Sequence, residues 1–162
     1  MNLPLTSDEH PLTIKSFMEA FRMLALDSLD ELLHDSNVVV FTTFRRDGMP
    51  QQSLVTVAKS ENKLYFTTRS TNAKILNLTR DERCAVMVVS QDRRSFAALD
   101  GTAEIISSNN SDPEVLRLRL REVFELASGK QHPDWQEYDR VMIEQRRVIV
   151  SFNPNRIVGH NI

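Results

Sequence analysis

The chain has one cysteine, four glycines and no surplus of positive charge, and none of its apolar runs approaches the ~20 residues of a bilayer-spanning helix. A single cysteine excludes an internal disulfide, and Cys84, inside the apolar run "CAVMVV", reads as a buried structural thiol. With so few glycines there is no G-x-G-x-x-G, and the βαβ alternation of a Rossmann sheet is missing too. Lysine and arginine number 20 against 22 aspartates and glutamates, so the basic excess of a nucleic-acid binder is lacking. His10, His34, His132 and His160 stand singly, without metal-ligand spacing, and no metal is expected. Neither Ser53 nor Ser70 lies in a G-x-S-x-G elbow, which argues against a hydrolytic nucleophile. The opening "MNLPLTSDEH" has neither the basic start nor the apolar core of a signal peptide, so a cytoplasmic protein without a membrane partner is expected.

What is present is ordinary for a globular protein: 41% hydrophobic and 26% charged residues in 162. That length suits one domain over 1–162, with residues 1–13 read as a flexible N-terminal tail. From Ile14 to Leu33, apolar residues recur at three- and four-residue steps, which predicts an amphipathic helix broken near Asp27. "NVVVFTTF" (37–44) and "PQQSLVTVAK" (50–59) flank an Asp-Gly turn and predict a hairpin. "KLYFTT" (63–68), "CAVMVVS" (84–90), "SFAALDGTAEIIS" (95–107) and "RRVIVSFNP" (146–154) continue the strand pattern, with a bulge or close approach expected at Gly101. Asp112 as N-cap, Pro113 at the first helical position and Gly129 as stop bound a helix, and a short one is expected within 130–145. Six strands in hairpin order with helices grouped between them predict an antiparallel barrel or a strongly curled sheet.

One loop stands apart. "TTRSTNAKILNL" (67–78) joins a strand to a helix through hydroxyl side chains and the cations Arg69 and Lys74. Hydroxyls, free amides and cations at a helix start suit a phosphate; they equally suit a capped helix with two solvated cations. Elsewhere, the alternating charges of residues 112–126 read as a solvated helix face, and "DRR" (92–94) reads as a hairpin tip that could reach a partner subunit's ligand.

Taken in order, "FTTFRRDGMPQQSLVTV", "KLYFTTRSTNAKILNLTRDERCAVMVV", "ALDGTAEI" and "HPDWQEYDRVMIEQRRVIVSFNPNRIVG" resemble the pyridoxamine 5'-phosphate oxidase-like, FMN-binding split-barrel family. Within it the chain is most similar to the flavin/deazaflavin oxidoreductases labelled F-420-dependent, over about Leu29 to Gly159. The resemblance implies a mainly β (α+β) fold, a six-stranded antiparallel split β-barrel with flanking helices. It also implies a homodimer holding FMN or coenzyme F-420 at its subunit interface. Thr67, Thr68, Arg69, Ser70 and Lys74 would hold the cofactor phosphate, Gln51, Ser53 and Val55 would lie along the ring, and Arg94 and Ser95 would close the site from the partner subunit.

The chain departs from the family pattern at Asn72, where members often carry an arginine, and at Thr56 and Val57, where many carry an aromatic. Because such enzymes pass a hydride between an oriented ring and a small-molecule acceptor, no side chain need act as acid or base, and none is assigned a catalytic role. Pyridoxamine-phosphate oxidation itself is disfavoured, since only Arg156 follows the sixth strand as a cation. The alternative implied by the same fold is a binding or storage protein for FMN or haem that does not turn over.

Overall fold

In the computed structural model, which describes residues 24–162, the β-branched and aromatic runs form seven antiparallel strands. These are β1 (Val38–Phe44), β2 (Pro50–Thr56), β3 (Ala58–Ser60), β4 (Lys63–Arg69), β5 (Arg83–Val89), β6 (Phe96–Ile106) and β7 (Arg147–His160). The helices are α1 (Asp30–Asp35), preceded by a 3-10 turn at Leu26–Leu29, α2 (Ala73–Arg80), α3 (Pro113–Ser128) and α4 (Trp135–Glu144). Of the helix expected over 14–33, residues 14–23 lie outside the described residues, as does the expected tail 1–13. The 3-10 turn falls where the break near Asp27 was expected.

The strands form one sheet in the order β2-β1-β5-β6-β7-β4-β3. Its two edge strands, β2 and β3, are consecutive in the chain and separated only by Val57. One run of backbone therefore forms both edges, and the sheet curls into a half-barrel around it. The expectation of six strands is corrected to seven for this reason: the predicted second strand, 50–59, splits at Val57. There the amide makes the last rung of the β1–β2 ladder, donating to the Asn37 carbonyl at 2.9 Å, and the Val57 carbonyl accepts from the Asn37 side chain at 3.3 Å before the chain passes to β4's side of the split.

Alternation in the strands fills the barrel. Val39, Phe41, Leu64, Phe66, Val86, Val88, Leu99, Val150 and Phe152 point inward and are buried, with Phe41 and Phe66 in edge contact, centroids 4.8 Å apart. β7 is buried on both faces, because Ile149 packs outward against Leu116, Leu120, Val123 and Tyr138 of α3 and α4. Those helices are also joined by Asp139, which accepts from Arg121 at 2.9 Å and from Arg117 at 3.1 Å and whose carboxyl these partners hold below the usual range. Burial, with the charges of Asp81 and Glu82 adding to it, pushes the Cys84 thiol up to about 12, as befits a structural cysteine.

The predicted ends of α3 are the observed ones. The Asp112 carboxylate accepts from the Glu114 amide at 2.8 Å and the Val115 amide at 3.3 Å, Pro113 opens the helix, and Gly129 closes it with φ of 67°. Asp112→Ala should therefore lower stability by about 1 kcal/mol in a thermal melt, the usual worth of an N-cap.

Candidate functional site

The split of the barrel makes a groove. Among the described residues β2 pairs only with β1, and β3 leaves β4 after Tyr65, so from Phe66 onward β4 has no ladder partner there on that side. The two unpaired edges face each other across a groove of about 480 Å³ lined by Val55 and Thr56 on one side and Thr67 and Thr68 on the other. Unpaired strand edges present free peptide donors and acceptors, which a flat polar ligand can use as a further strand would.

The C-terminal half of α3 supplies the third wall through Phe124, Ala127 and Ser128. It is held there by Asn37, whose side-chain amide donates to the carbonyls of Ala127 at 2.6 Å and Val57 at 3.3 Å. One asparagine thus ties the wall to the point where the barrel splits. Among the described residues, no carboxylate, histidine or cysteine lines the groove.

At one end lie the loop and α2. Asn72 occupies the N-cap position, but its side chain makes no cap bond; its amide donates to the Thr68 hydroxyl at 2.7 Å. The capped-helix reading of this loop therefore lacks its cap. Lys74, in the first turn, is half-buried and faces the groove, with no ion pair or hydrogen bond among the described residues. Burial lowers the pKa of its ammonium. A helix start with free amides and a desolvated cation without a counter-charge is a site suited to an anion.

The inner face of β2 is also organised. Gln51, Ser53 and Val55 share it, half-buried, and Gln52, Leu54 and Thr56 alternate with them and are exposed, Leu54 and Thr56 at the rim of the groove. Buried Asn77 on α2 donates to the Gln51 side-chain oxygen at 2.8 Å and the Thr43 hydroxyl at 3.0 Å. Arg80 in turn donates to Asn77 at 3.2 Å. Gln51 is therefore fixed through its oxygen, which leaves its NH₂ available.

The expected site residues separate into groups. Val55, Thr67, Thr68 and Lys74 meet at the groove. Gln51 and Ser53 lie further along the same face of β2. Arg69 is exposed and pairs across strands with Arg147, while Ser70 turns away from the groove into a larger cavity. Arg94 and Ser95 are at the β5–β6 tip, where the Arg94 amide donates to Asp92 at 2.9 Å and the Ser95 amide to Ser90 at 3.0 Å; neither lines the groove of its own chain. Sequence reasoning missed Phe124, Ala127 and Ser128. The α3 pattern signalled an apolar face, but nothing local says that its last turns reach past the sheet to the split.

A half-barrel of antiparallel strands with a groove along its split and an anion-suited helix start at one end defines a split-barrel type of fold. The sequence matches the family model for pyridoxamine 5'-phosphate oxidase over residues 25–158, and the chain belongs to that family. Solved structures share the fold. A conserved hypothetical protein from Mycobacterium tuberculosis superposes with a TM-score of 0.70 at 20% identity, covering 87% of this chain and 86% of that one. A protein described as F420 reductase gives 0.56 at 22% identity, covering 79% and 94%. A pyridoxamine 5'-phosphate oxidase-related, FMN-binding protein from Nostoc punctiforme gives 0.61 at 16%, covering 83% and 82%.

Proposed function

We propose that this chain is a flavin- or deazaflavin-dependent oxidoreductase that holds FMN or coenzyme F-420 in the β2–β4 groove and serves a small-molecule acceptor. The observation that carries the reading is Lys74, half-buried at an α2 start without a side-chain cap, facing the groove with no counter-charge among the described residues. The donor set fits such a group. The Lys74 ammonium, the Thr67 and Thr68 hydroxyls and the first amides of α2 suit a phosphate, while Val55 and Phe124 offer apolar contact to a ring. Arg69 lies beside the phosphate end, whereas Ser70 faces the other cavity, and Gln51, Ser53 and Val55 line the ring's path.

When bound, the ring supplies hydride transfer. The chain's share is orientation and exclusion of water, which agrees with a groove whose described lining has no carboxylate, histidine or cysteine. With only Arg156 as a cation after the sixth expected strand, pyridoxamine-phosphate oxidation stays disfavoured. Titrating the purified protein with FMN and with F-420, then reducing the complex and offering acceptors, tests the proposal. Failure of both cofactors to bind would overturn it, and binding without turnover would make the chain a carrier.

The cofactor site is proposed to be completed in a homodimer. In support, the outer sheet face carries one apolar row across five strands, Leu54, Val40, Met87, Ala98 and Val158, adjacent in register. Leu54 is 71% exposed and Met87 42%, beside Val38 at 48%. A contiguous apolar face of this kind marks an interaction surface. A second copy covering it would bring an Arg94–Ser95 tip from outside. Sedimentation should show about twice the chain mass, and Met87→Lys, which puts a charge in the middle of the row, should yield monomers of unchanged circular dichroism.

A further inference from the structure

A cavity of about 780 Å³ is separate from the groove. It lies between the N-terminal half of α3, α4 and the start of β7, and shares no lining residue with the groove. The 67–74 segment divides the two: Lys74 faces the groove, and Ser70 faces the cavity.

The charges around this cavity are unevenly matched. On the helix side every carboxylate is engaged: Asp112 by the Glu114 and Val115 amides, Glu114 by Arg117, and Asp139 by Arg117 and Arg121. On the β7 side Arg146 and Arg147 line the cavity with no ion pair among the described residues, and Arg69 lies across the strand from Arg147. Arg147 donates only to the Gln145 side chain, at 2.9 Å. Burial, and then the Arg69 charge, lower its pKa, so its cationic form is held there at a cost that an anion would offset. The wall between is apolar, through Leu116, Leu120, Met142 and Val148.

Arg146 adds an independent sign. It follows the end of α4 with φ of 48°, and its amide donates to the Ile143 carbonyl at 2.9 Å. That left-handed position after a helix favours glycine. The same residue's carbonyl accepts from the Ser70 amide at 3.0 Å, which ties the arginine pair to the loop.

We propose that this cavity is a second ligand site, for a small organic anion with a carboxylate, phosphate or sulfonate head on an apolar body. The head binds the Arg146, Arg147 and Ser70 end, and the body lies against Leu116, Leu120 and Met142. Forked guanidinium donors match such a head, and the cavity has the volume of a small-molecule pocket.

The test uses 8-anilinonaphthalene-1-sulfonate, an apolar sulfonate that fluoresces on binding, titrated into the full chain with and without inorganic phosphate. The expected result is saturable binding weakened by phosphate, and weakened about tenfold or more by Arg147→Gln and by Arg146→Gly. Lys74→Ala, on the far side of the loop, should leave dye affinity unchanged. Arg146→Gly should also keep or raise Tm, since glycine accepts the left-handed backbone, so its loss of binding cannot be laid to misfolding; it decides the matter if Arg147→Gln does not fold. Dye affinity unchanged by the arginine substitutions, equal weakening by Lys74→Ala, or no saturable binding would overturn the proposal.

Discussion

Lys74→Ala is expected to weaken FMN binding by about ten- to a hundredfold, the effect of losing one charge-assisted contact worth roughly 1.5–3 kcal/mol. Riboflavin, which has the ring and no phosphate, should bind the variant and the parent alike. Calorimetry with both ligands makes the comparison; an equal loss for the two, or no loss for either, would remove the phosphate from this end of the groove. The pH dependence has a definite sign. Burial places the folded-state pKa of Lys74 below its unfolded value, so below the folded value the charged lysine costs stability, and that cost fades as pH rises through it. An anion bound there offsets the cost. FMN affinity should accordingly fall on the alkaline side earlier than it would for an exposed lysine, and Lys74→Ala should flatten that limb.

Gly101→Val should destabilise the fold more than any loop substitution. At the bulge between Asp100 and Gly101 the β6–β7 register shifts, and a Cβ on Gly101 would meet the Asn153 carbonyl oxygen at 2.1 Å. The obstacle is backbone in the central pair of the sheet, so neither strand can give way without loss of ladder bonds. Overpacking usually costs roughly 1–3 kcal/mol, and this site should lie at or above the top of that span. Urea denaturation at unchanged m-value measures it; a midpoint within error of the parent would mean that the bulge can relax.

Much of the architecture is legible in the residues because its causes are local. "NVVVFTTF", the Asp-Gly turn and "KLYFTT" carry strand and hairpin chemistry in a few neighbouring residues, and Asp112, Pro113 and Gly129 each act on their own helix end. The split of the second strand at Val57 is not local. It goes with Asn37, twenty residues earlier, whose side-chain amide donates both to the Val57 carbonyl and to the Ala127 carbonyl at the end of α3. The site shows the same division. Thr67, Thr68 and Lys74 come together because they surround one loop, whereas the Arg69–Arg147 pairing depends on β4 lying beside β7, which no spacing in the sequence reveals. Asn72 could be recognised as a departure, but its bond to Thr68 requires the folded loop.

The position of β7 also has a consequence for how the molecule is made. β1, β2, β5 and β6 are mutual neighbours and can pair once residue 106 has been synthesised, but the β3–β4 hairpin joins them only through β7. A nascent chain stopped before residue 147 therefore carries a four-stranded piece and a hairpin with no ladder between them, both exposing apolar residues meant for a common core. Closure depends on a late segment pairing with strands made far earlier, the kind of long-range contact that slows folding. In the cell, the interval between the emergence of β4 and that of β7 is when this protein most needs protection from aggregation.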